Sequence, residues 1–355
     1  MTSTWLANHR DPRWVGLLPS TEATEFHRAL PGYEPTPLVE LPQIARSLDV
    51  GRVFAKDESR RLGLPAFKGL GASWAIRKLL DRIGTAAAIT VVTATDGNHG
   101  RAVARWALHF GQRACVVVPD GVHPAALAAI RSEGADVVEV EGSYDDAVQL
   151  AARVARQADH VLVQDTAWPG YEEIPGWIVE GYETMFAEID EQLSERGAGQ
   201  PDLIVVPTGV GSLLQAALVH HRAPRSSGAA VVSVEPDSAA CVYASLAAGR
   251  PVSVPTRFTT MAGLNCGTMS TLAWPLVSAG VDGALVTDDA ATGRAVEVLK
   301  ASGLDAGPCG AATLAVSGIS RREMGAFRRH VRLHEDSTVV LLVTEGSAEN
   351  PHLAS

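Results

Sequence analysis

The chain has 355 residues, 46% of them hydrophobic, and a formal net charge of −10. This length exceeds the size at which a single hydrophobic core usually divides, so two domains are expected. The negative net charge and the absence of a stripe of basic residues in the sequence argue against a nucleic-acid partner. No apolar run approaches the roughly 20 residues that are needed to cross a membrane.

Short, continuous apolar runs predict strands that are covered on both faces, as in a parallel sheet. They span residues 86–94, 114–119, 135–140, 160–164, 202–207, 229–236 and 337–344. Helical patterns lie between them, at residues 99–111, 125–135, 144–158 and 211–221. This alternation predicts an α/β fold with parallel-rich sheets, and the polar stretch 191–202 is interpreted as a surface loop. Ligands of such sheets bind beyond the carboxyl ends of the strands, so the loops there are the candidate sites.

Lys68 is flanked by Phe67, Gly69 and Gly71 and precedes a further helical pattern. A lysine is most often a solvated surface residue. Here the small and apolar neighbours favour partial burial. Burial lowers the pKa of a lysine and makes its neutral amine available for a Schiff base.

Two loops that contain glycines follow predicted strands and open predicted helices. One spans residues 93–100 and includes Asp96 and Asn98, and the other spans residues 207–212. Each could bind an anion with its backbone N–H groups at a helix N-terminus, and a plain turn with a polar cap is an equal alternative. The second loop is not a Walker loop, because no GK[ST] follows it, and it is not a GxGxxG motif, because Leu214 stands where the third glycine would be.

Two further polar residues stand at the ends of predicted strands. Asp165 follows residues 160–164, and Thr344 ends the run 337–344. A carboxylate at the first position can cap the loop or bind a substrate cation. A hydroxyl at the second position can bond a ring nitrogen or shape a turn, and both alternatives remain open.

Cysteine and histidine patterns point to neither a disulfide framework nor a metal centre. The four cysteines form no CxxC pair, which is typical of a reduced cytoplasmic protein, and the N-terminal residues show no secretory signal. Cys241 and Cys266 are interpreted as packed thiols. His220 and His221 adjoin on a predicted helix and point to different faces, so no metal site is expected there.

A series of short motifs runs along nearly the whole chain. The motifs are GYEPTPLVEL (32–41), KDES (56–59), GLPAFKGLG (63–71), TDGNHGRAVA (95–104), YDDAV (144–148), LVQDTAW (162–168), GYEEIPGW (170–177), GVGS (209–212), VEPDSA (234–239), MAGLNCG (261–267) and VTEG (343–346). Taken in this order, they resemble the fold-type II pyridoxal-phosphate enzymes, the tryptophan-synthase-β-like superfamily, and most closely the diaminopropionate ammonia-lyase family. The resemblance to that family rests chiefly on TDGNHGR and QDTAW.

The resemblance implies a two-domain fold with pyridoxal 5'-phosphate between the domains. Residues 1–85 and 170–355 would form the large cofactor-binding domain, and residues 86–169 a small inserted domain. It also implies a cytoplasmic homodimer that acts on a small amino acid, with no nucleic-acid partner and no membrane association.

The resemblance also implies a role for each site residue. Lys68, next to Phe67, would form the internal aldimine, Asn98 would bond the phenolic oxygen of the cofactor, and Thr344 would face its pyridine nitrogen. Asp96 takes the position of an acid–base carboxylate, and Asp165 that of a second active-site carboxylate. The phosphate would be held by the loop of Thr208, Gly209, Val210, Gly211 and Ser212.

The reaction implied is α,β-elimination of ammonia from 2,3-diaminopropionate, giving pyruvate and ammonia through aminoacrylate. Lys68 and Asp96 could take the Cα proton from opposite faces, which would permit both D and L isomers. Asp165 could attract the distal ammonium of the substrate, because a carboxylate pairs with a cation in a partly desolvated site.

Departures from the family pattern keep other reactions open. The family tends to carry Glu and Ser where Pro308 and Cys309 stand, and an aspartate where Ser347 stands. A dehydratase or β-replacement enzyme acting on serine, threonine or another β-substituted amino acid is therefore an alternative. A non-catalytic nucleotide- or amino-acid-binding protein is a third hypothesis, which the joint presence of Lys68, Asn98 and the phosphate loop disfavours.

Overall fold

The computed structural model describes residues 3–11, 14–16, 18–84, 88–95, 97–224 and 228–349. Within them the strands form two sheets that are each covered by helices. The strands are β1 (Thr4–Ala7), β2 (Leu38–Glu40), β3 (Arg52–Asp57), β4 (Thr90–Ala94), β5 (Arg113–Pro119), β6 (Asp136–Val140), β7 (His160–Leu162), β8 (Leu203–Pro207), β9 (Ala230–Pro236), β10 (Gly283–Thr287) and β11 (Thr338–Val343).

The larger sheet has seven strands in the order β1-β10-β9-β8-β11-β3-β2. Its five central strands are parallel, and the short edge strands β1 and β2 pair antiparallel with their neighbours. Every residue of β8, β9 and β11 is buried, because helices cover both faces of a parallel sheet. This is why these strands appear in the sequence as continuous apolar runs.

The smaller sheet has four parallel strands in the order β6-β5-β4-β7. All of them come from one continuous part of the chain, between Thr90 and Leu162. Together the two sheets confirm the predicted α/β fold with parallel-rich sheets. The predicted strand over residues 86–94 begins only at Thr90, and residues 85–87 lie outside the described part of the chain.

The helices lie between the strands and at the ends of the sheets. They are α1 (Glu22–Arg28), α2 (Pro42–Leu48), α3 (Lys68–Ile83), α4 (Asn98–His109), α5 (Pro124–Ser132), α6 (Tyr144–Val154), α7 (Glu173–Glu195), α8 (Ser212–His221), α9 (Cys241–Ala248), α10 (Ala273–Gly280), α11 (Asp289–Ala301), α12 (Pro308–Ala311) and α13 (Arg321–Val331). Short 3-10 helices lie between or after these elements, at Ala262–Leu264, Ala312–Gly318 and Ser347–Glu349. The prediction of a loop over residues 191–202 is wrong in its first part, because α7 continues to Glu195 and Leu193 is buried in the core.

Helices α3 and α7 approach each other closely at two glycines. A Cβ atom on Gly181 would lie 2.5 Å from the carbonyl oxygen of Leu70, and one on Gly71 would lie 2.7 Å from Cε1 of Tyr182. Since these distances are shorter than van der Waals contact, only glycine allows this packing. The packing fixes the position of Lys68, the first residue of α3.

Four buried charged side chains join β3, the loop after it and α7. Lys56 Nζ donates to Glu188 Oε2 at 2.6 Å, and Arg61 donates to Glu188 and to Glu58, each at 2.6 Å. All four side chains are fully buried. Two cations therefore face two carboxylates, the balance that buried charges require. This network anchors the segment that precedes Lys68.

Candidate active site

A cavity lies where the carboxyl ends of strands from the two sheets meet. Loops after β4 and β7 of the smaller sheet line it, together with loops after β8 and β11 of the larger sheet. All the predicted site residues that the structure describes line this cavity. They are Phe67, Lys68, Asn98, Asp165, Thr208, Gly209, Val210, Gly211, Ser212 and Thr344. Asp96, the predicted acid–base carboxylate, lies outside the described residues.

Lys68 forms an ion pair in this cavity. Its Nζ donates to Oδ2 of Asp165 at 2.6 Å, and its side chain is 18% exposed. Burial alone lowers the pKa of Lys68, but the carboxylate of Asp165 outweighs burial and raises that pKa above its ordinary value. The expectation that burial would lower the Lys68 pKa is therefore wrong, because the sequence did not reveal the carboxylate beside it.

Asp165 is buried and remains ionised. Burial alone raises its pKa, but the Lys68 ammonium lowers it to about 2. Nε2 of His99 lies 3.0 Å from the carbonyl oxygen of Val163, and its Nδ1 lies 4.0 Å from Asp165 Oδ2. Burial lowers the pKa of His99, so His99 is a neutral neighbour of this pair at neutral pH.

The loop between β8 and α8 has the geometry of an anion site. Gly211 adopts the left-handed conformation, with φ of 96°, and caps α8. A Cβ atom on Gly209 would lie 2.9 Å from the carbonyl oxygen of Gly263, so a side chain would fill this cradle. The backbone N–H groups of the first helical turn have no partner within the helix. These features fit the phosphate of pyridoxal phosphate.

Thr344 follows β11 and is 3% exposed. Its carbonyl oxygen accepts a hydrogen bond from Phe67 N at 3.1 Å, which joins the end of β11 to the residue before Lys68. A Cβ atom on Gly310 would lie 2.8 Å from Thr344 N, so α12 packs directly on this backbone. The segment that departs from the family pattern, with Cys309 in the cavity wall, therefore contacts the predicted partner of the ring nitrogen.

Among the residues that were not predicted from the sequence as site residues, Glu345 and Tyr182 are close to the predicted ones. Glu345 lines the cavity, and its Oε2 accepts a hydrogen bond from Asn98 Nδ2 at 2.6 Å. Tyr182 of α7 is fully buried, and its ring lies 4.8 Å from that of Phe67. Burial raises the pKa of Tyr182, and the nearby Lys68 lowers it in part. Glu345 adjoins Thr344 in the sequence and could have been considered, whereas nothing local marks Tyr182.

A more open cavity lies at the amino ends of β8, β9 and β10, lined by residues that include His9, Arg10 and His330. It contains none of the predicted site residues. Among the residues that the structure describes, no group of three or more His, Cys, Asp or Glu could hold a metal ion, and no helix is long and apolar enough to cross a membrane.

Comparisons with known proteins agree with the cofactor chemistry that this cavity fits. Residues 29–345 match the model of the pyridoxal-phosphate dependent enzyme family. A diaminopropionate ammonia-lyase of Salmonella typhimurium is 36% identical over 92% of this chain and 88% of its own length. One of Escherichia coli is 33% identical over 93% of this chain and 89% of its own.

Solved structures show the same relationship. The crystal structure of Escherichia coli diaminopropionate ammonia lyase in complex with an aminoacrylate–PLP azomethine reaction intermediate superposes with a TM-score of 0.89 at 31% identity, covering 99% of this chain and 96% of that one. The chain therefore belongs to the pyridoxal-phosphate-dependent enzymes and, within them, to the diaminopropionate ammonia-lyase family.

Proposed function

We propose that this chain catalyses the α,β-elimination of ammonia from 2,3-diaminopropionate, giving pyruvate and ammonia, with pyridoxal 5'-phosphate as cofactor. The ion pair of Lys68 and Asp165 carries the proposal, because it places an ammonium-binding carboxylate beside the lysine that would carry the cofactor. The similarity to diaminopropionate ammonia-lyases over 92% of the chain supports the same reaction.

The cofactor would withdraw electrons from Cα of the bound amino acid. Lys68 would carry it covalently, with Phe67 alongside, and Asn98 would bond its phenolic oxygen while Thr344 faces its ring nitrogen. The loop of Thr208, Gly209, Val210, Gly211 and Ser212 would hold its phosphate. The cradle at Gly209 and the N-terminus of α8 support this assignment.

The Lys68 amine, once it is released from the cofactor, would take the Cα proton from one face of the substrate, and its position in the cavity wall supports this role. Asp96 would take that proton from the other face. This second assignment, and with it the acceptance of both D and L isomers, rests on the family resemblance of TDGNHGR (95–101).

Asp165 would bind the distal ammonium of the substrate. Its carboxylate already accepts an ammonium hydrogen bond from Lys68 at 2.6 Å, so the position fits this group. A neighbouring carboxylate favours the charged form of an amine, and a protonated amine leaves more readily than a neutral one. A hydroxyl at Cβ carries no charge that the carboxylate of Asp165 could stabilise. The site therefore favours an amine over a hydroxyl at Cβ.

A dehydratase or β-replacement enzyme is the second candidate. Cys309 supports it, because this thiol lines the cavity where the family tends to carry a serine. Such an enzyme would act on serine, threonine or another β-substituted amino acid, whose leaving group needs no carboxylate partner.

The two candidates are distinguished by Asp165→Asn. The quantity to measure is the ratio of kcat/KM for 2,3-diaminopropionate to kcat/KM for serine. Any effect of the substitution on Lys68 is common to both substrates and cancels in this ratio. Loss of the charged hydrogen bond should lower this ratio about tenfold or more. Asp237→Asn is the matched control, because Asp237 is exposed directly after β9 and does not line the cavity. An unchanged ratio would contradict the role of Asp165.

We also propose that the domain boundary follows the division between the two sheets, with residues 86–169 as the small domain. The origin of β4 to β7 in one continuous segment supports this boundary. We further propose a cytoplasmic homodimer without a nucleic-acid partner. The family resemblance supports the dimer, and the net charge of −10 argues against nucleic acid.

A further inference from the structure

Glu345 accepts hydrogen bonds on both oxygens of its carboxylate. Oε2 accepts from Asn98 Nδ2 at 2.6 Å, and Oε1 accepts from the backbone N–H of Cys309 at 3.2 Å. The residue is 5% exposed and lines the cofactor cavity. A buried carboxylate is stable only when such donors replace water, so both contacts are needed to hold it there.

This arrangement determines which way the amide of Asn98 points. A carboxylate only accepts hydrogen bonds, so the atom of Asn98 that faces Oε2 must be Nδ2. The reverse orientation would bring Oδ1 against a carboxylate oxygen at 2.6 Å. With one N–H bound to Glu345, the amide nitrogen has its second N–H left for the cavity.

Glu345 itself is held by its surroundings. Its carbonyl oxygen accepts from Gly307 N at 2.9 Å, and a Cβ atom on Gly307 would lie 2.8 Å from Glu345 Cγ. Glu345 follows β11 of the larger sheet, whereas Asn98 begins α4 directly after β4 of the smaller sheet. The hydrogen bond between them therefore crosses the cleft between the two sheets. It holds the Asn98 side chain against a residue that is fixed on the larger sheet.

We propose that Glu345 is a positioning residue that orients the amide of Asn98, so that its second N–H is presented to the phenolic oxygen of the cofactor. This inference rests on the proposed role of Asn98. An N–H donor favours the deprotonated phenolic oxygen, because hydrogen bonding to a charged form stabilises that form. Glu345 thus acts on the cofactor through Asn98.

Glu345→Gln is an informative substitution because it preserves shape and removes one acceptor. A glutamine side chain has one acceptor oxygen and one NH₂ group, so it cannot accept from both Asn98 and the backbone of Cys309. The Cys309 N–H cannot turn, so the glutamine oxygen should remain on it. The NH₂ group would then face Asn98, whose amide would reverse and present Oδ1 in place of an N–H.

The first test measures cofactor binding and the absorption spectrum of the holoenzyme. Glu345→Gln should weaken the affinity for pyridoxal phosphate about tenfold, the loss expected for one charge-assisted hydrogen bond. It should also raise the apparent pKa of the phenolic oxygen in a pH titration of the absorption band. Asp305→Asn is the matched control, because Asp305 is an exposed acceptor for Ser347 N on the same loop and does not line the cavity.

Glu345→Gln in an Asn98→Ala background distinguishes two roles of Glu345. One is to orient the Asn98 amide, and the other is only to stabilise the loop after β11. If Glu345 acts through Asn98, then Glu345→Gln should change neither the affinity nor the band pKa further in that background. Equal effects in both backgrounds would overturn the inference. If Asn98→Ala itself leaves the affinity and the band unchanged, the proposed role of Asn98 fails instead.

A second test needs no cofactor. Asn98→Asp places two carboxylates at the position of the present 2.6 Å contact and should lower the melting temperature of the apoprotein. Adding Glu345→Gln supplies a donor to the new carboxylate and should restore most of that loss. Additive losses in the double variant would show that the two side chains do not interact, and would contradict the inference.

Discussion

Nζ of Lys68 and Oδ2 of Asp165 lie 2.6 Å apart, although 97 positions separate the two residues in the chain. The pair joins the start of α3 to the loop after β7, and the side chains are 18% and 7% exposed. Each charge stabilises the ionised form of the other against the effect of burial. The pair thus holds a carboxylate that binds an ammonium beside the lysine for which we propose the role of cofactor carrier.

Lys68→Met should destabilise the apoprotein by roughly 3 kcal/mol, because it leaves Asp165 buried without its partner. Adding Asp165→Asn should recover much of that stability, since the uncompensated charge is then removed. The free energy of unfolding in urea, measured for the two single variants and the double variant, checks this coupling. Additive losses would show that the two side chains are energetically independent.

The buried network around Arg61 should matter far more than an exposed ion pair. Arg61→Ala leaves Glu58 and Glu188 in the core without their guanidinium and should cost about 3–5 kcal/mol. Arg77→Ala is the control, because its pair with Asp81 is on the surface of α3 and should cost less than about 0.5 kcal/mol. Similar urea midpoints for the two variants would refute this account of the network.

His220 should make stability depend on pH in the alkaline range. Burial alone lowers its pKa, but Asp190, 3.0 Å from Nε2, and Glu183 outweigh burial and raise it to about 9. Because the folded-state pKa is raised, the stabilisation is complete below the unfolded value of about 6.5 and is lost as the pH rises through about 9.

His220→Gln should therefore lower the melting temperature clearly at pH 6 and much less at pH 10. His160→Gln is the control, since the His160 ring bonds only to the nearby Ala158 carbonyl oxygen among the contacts described for it. A difference between the wild type and His220→Gln that stays constant from pH 6 to pH 10 would contradict the assignment of the charge to His220.

Gly211→Ala should weaken cofactor binding. Its φ of 96° strains any side chain, and a Cβ atom would lie 3.1 Å from Cβ of Ala273. Gly293→Ala is the matched control, because that glycine lies within α11 and has open space around it. The control should be stabilising by about 0.5–1 kcal/mol. Equal pyridoxal-phosphate affinities for the two variants would argue against a phosphate cradle at Gly211.

Sequence patterns predicted those features of the fold that depend on residues close together in the chain. Buried parallel strands such as β8 and β11 appear as continuous apolar runs, and the loops after them contain the glycines and hydroxyls that line the cavity. The short antiparallel strands β1 and β2 were not predicted, because three or four residues carry too little periodicity. The parallel strands β3 and β10 were not predicted either, because β3 contains three charged residues among its six and β10 has only five residues. Helix α7 was not predicted, and its last residues were interpreted as part of a surface loop because the stretch 191–202 is polar and rich in glycine.

The electrostatics of the site could not be predicted in the same way. The raised pKa of Lys68 depends on Asp165, which only the folded chain brings next to it. Glu345 was not predicted as a site residue because its two hydrogen-bond donors, Asn98 Nδ2 and Cys309 N, are distant from it in the sequence. In the sequence alone it has the appearance of an ordinary turn residue. Tyr182 reaches the site through the close packing of α3 on α7, which depends on Gly71 and Gly181.

The most direct test of the central claim is a spectrum of the purified protein, recorded while D- and then L-2,3-diaminopropionate is added and pyruvate and ammonia are assayed. We expect a visible band that is absent in Lys68→Ala, consumption of the substrate, and about two molecules of ammonia for each pyruvate. A persistent band without product would transfer the assignment to serine or threonine. The absence of any band after addition of pyridoxal phosphate would contradict the assignment of Lys68 as the cofactor-carrying residue.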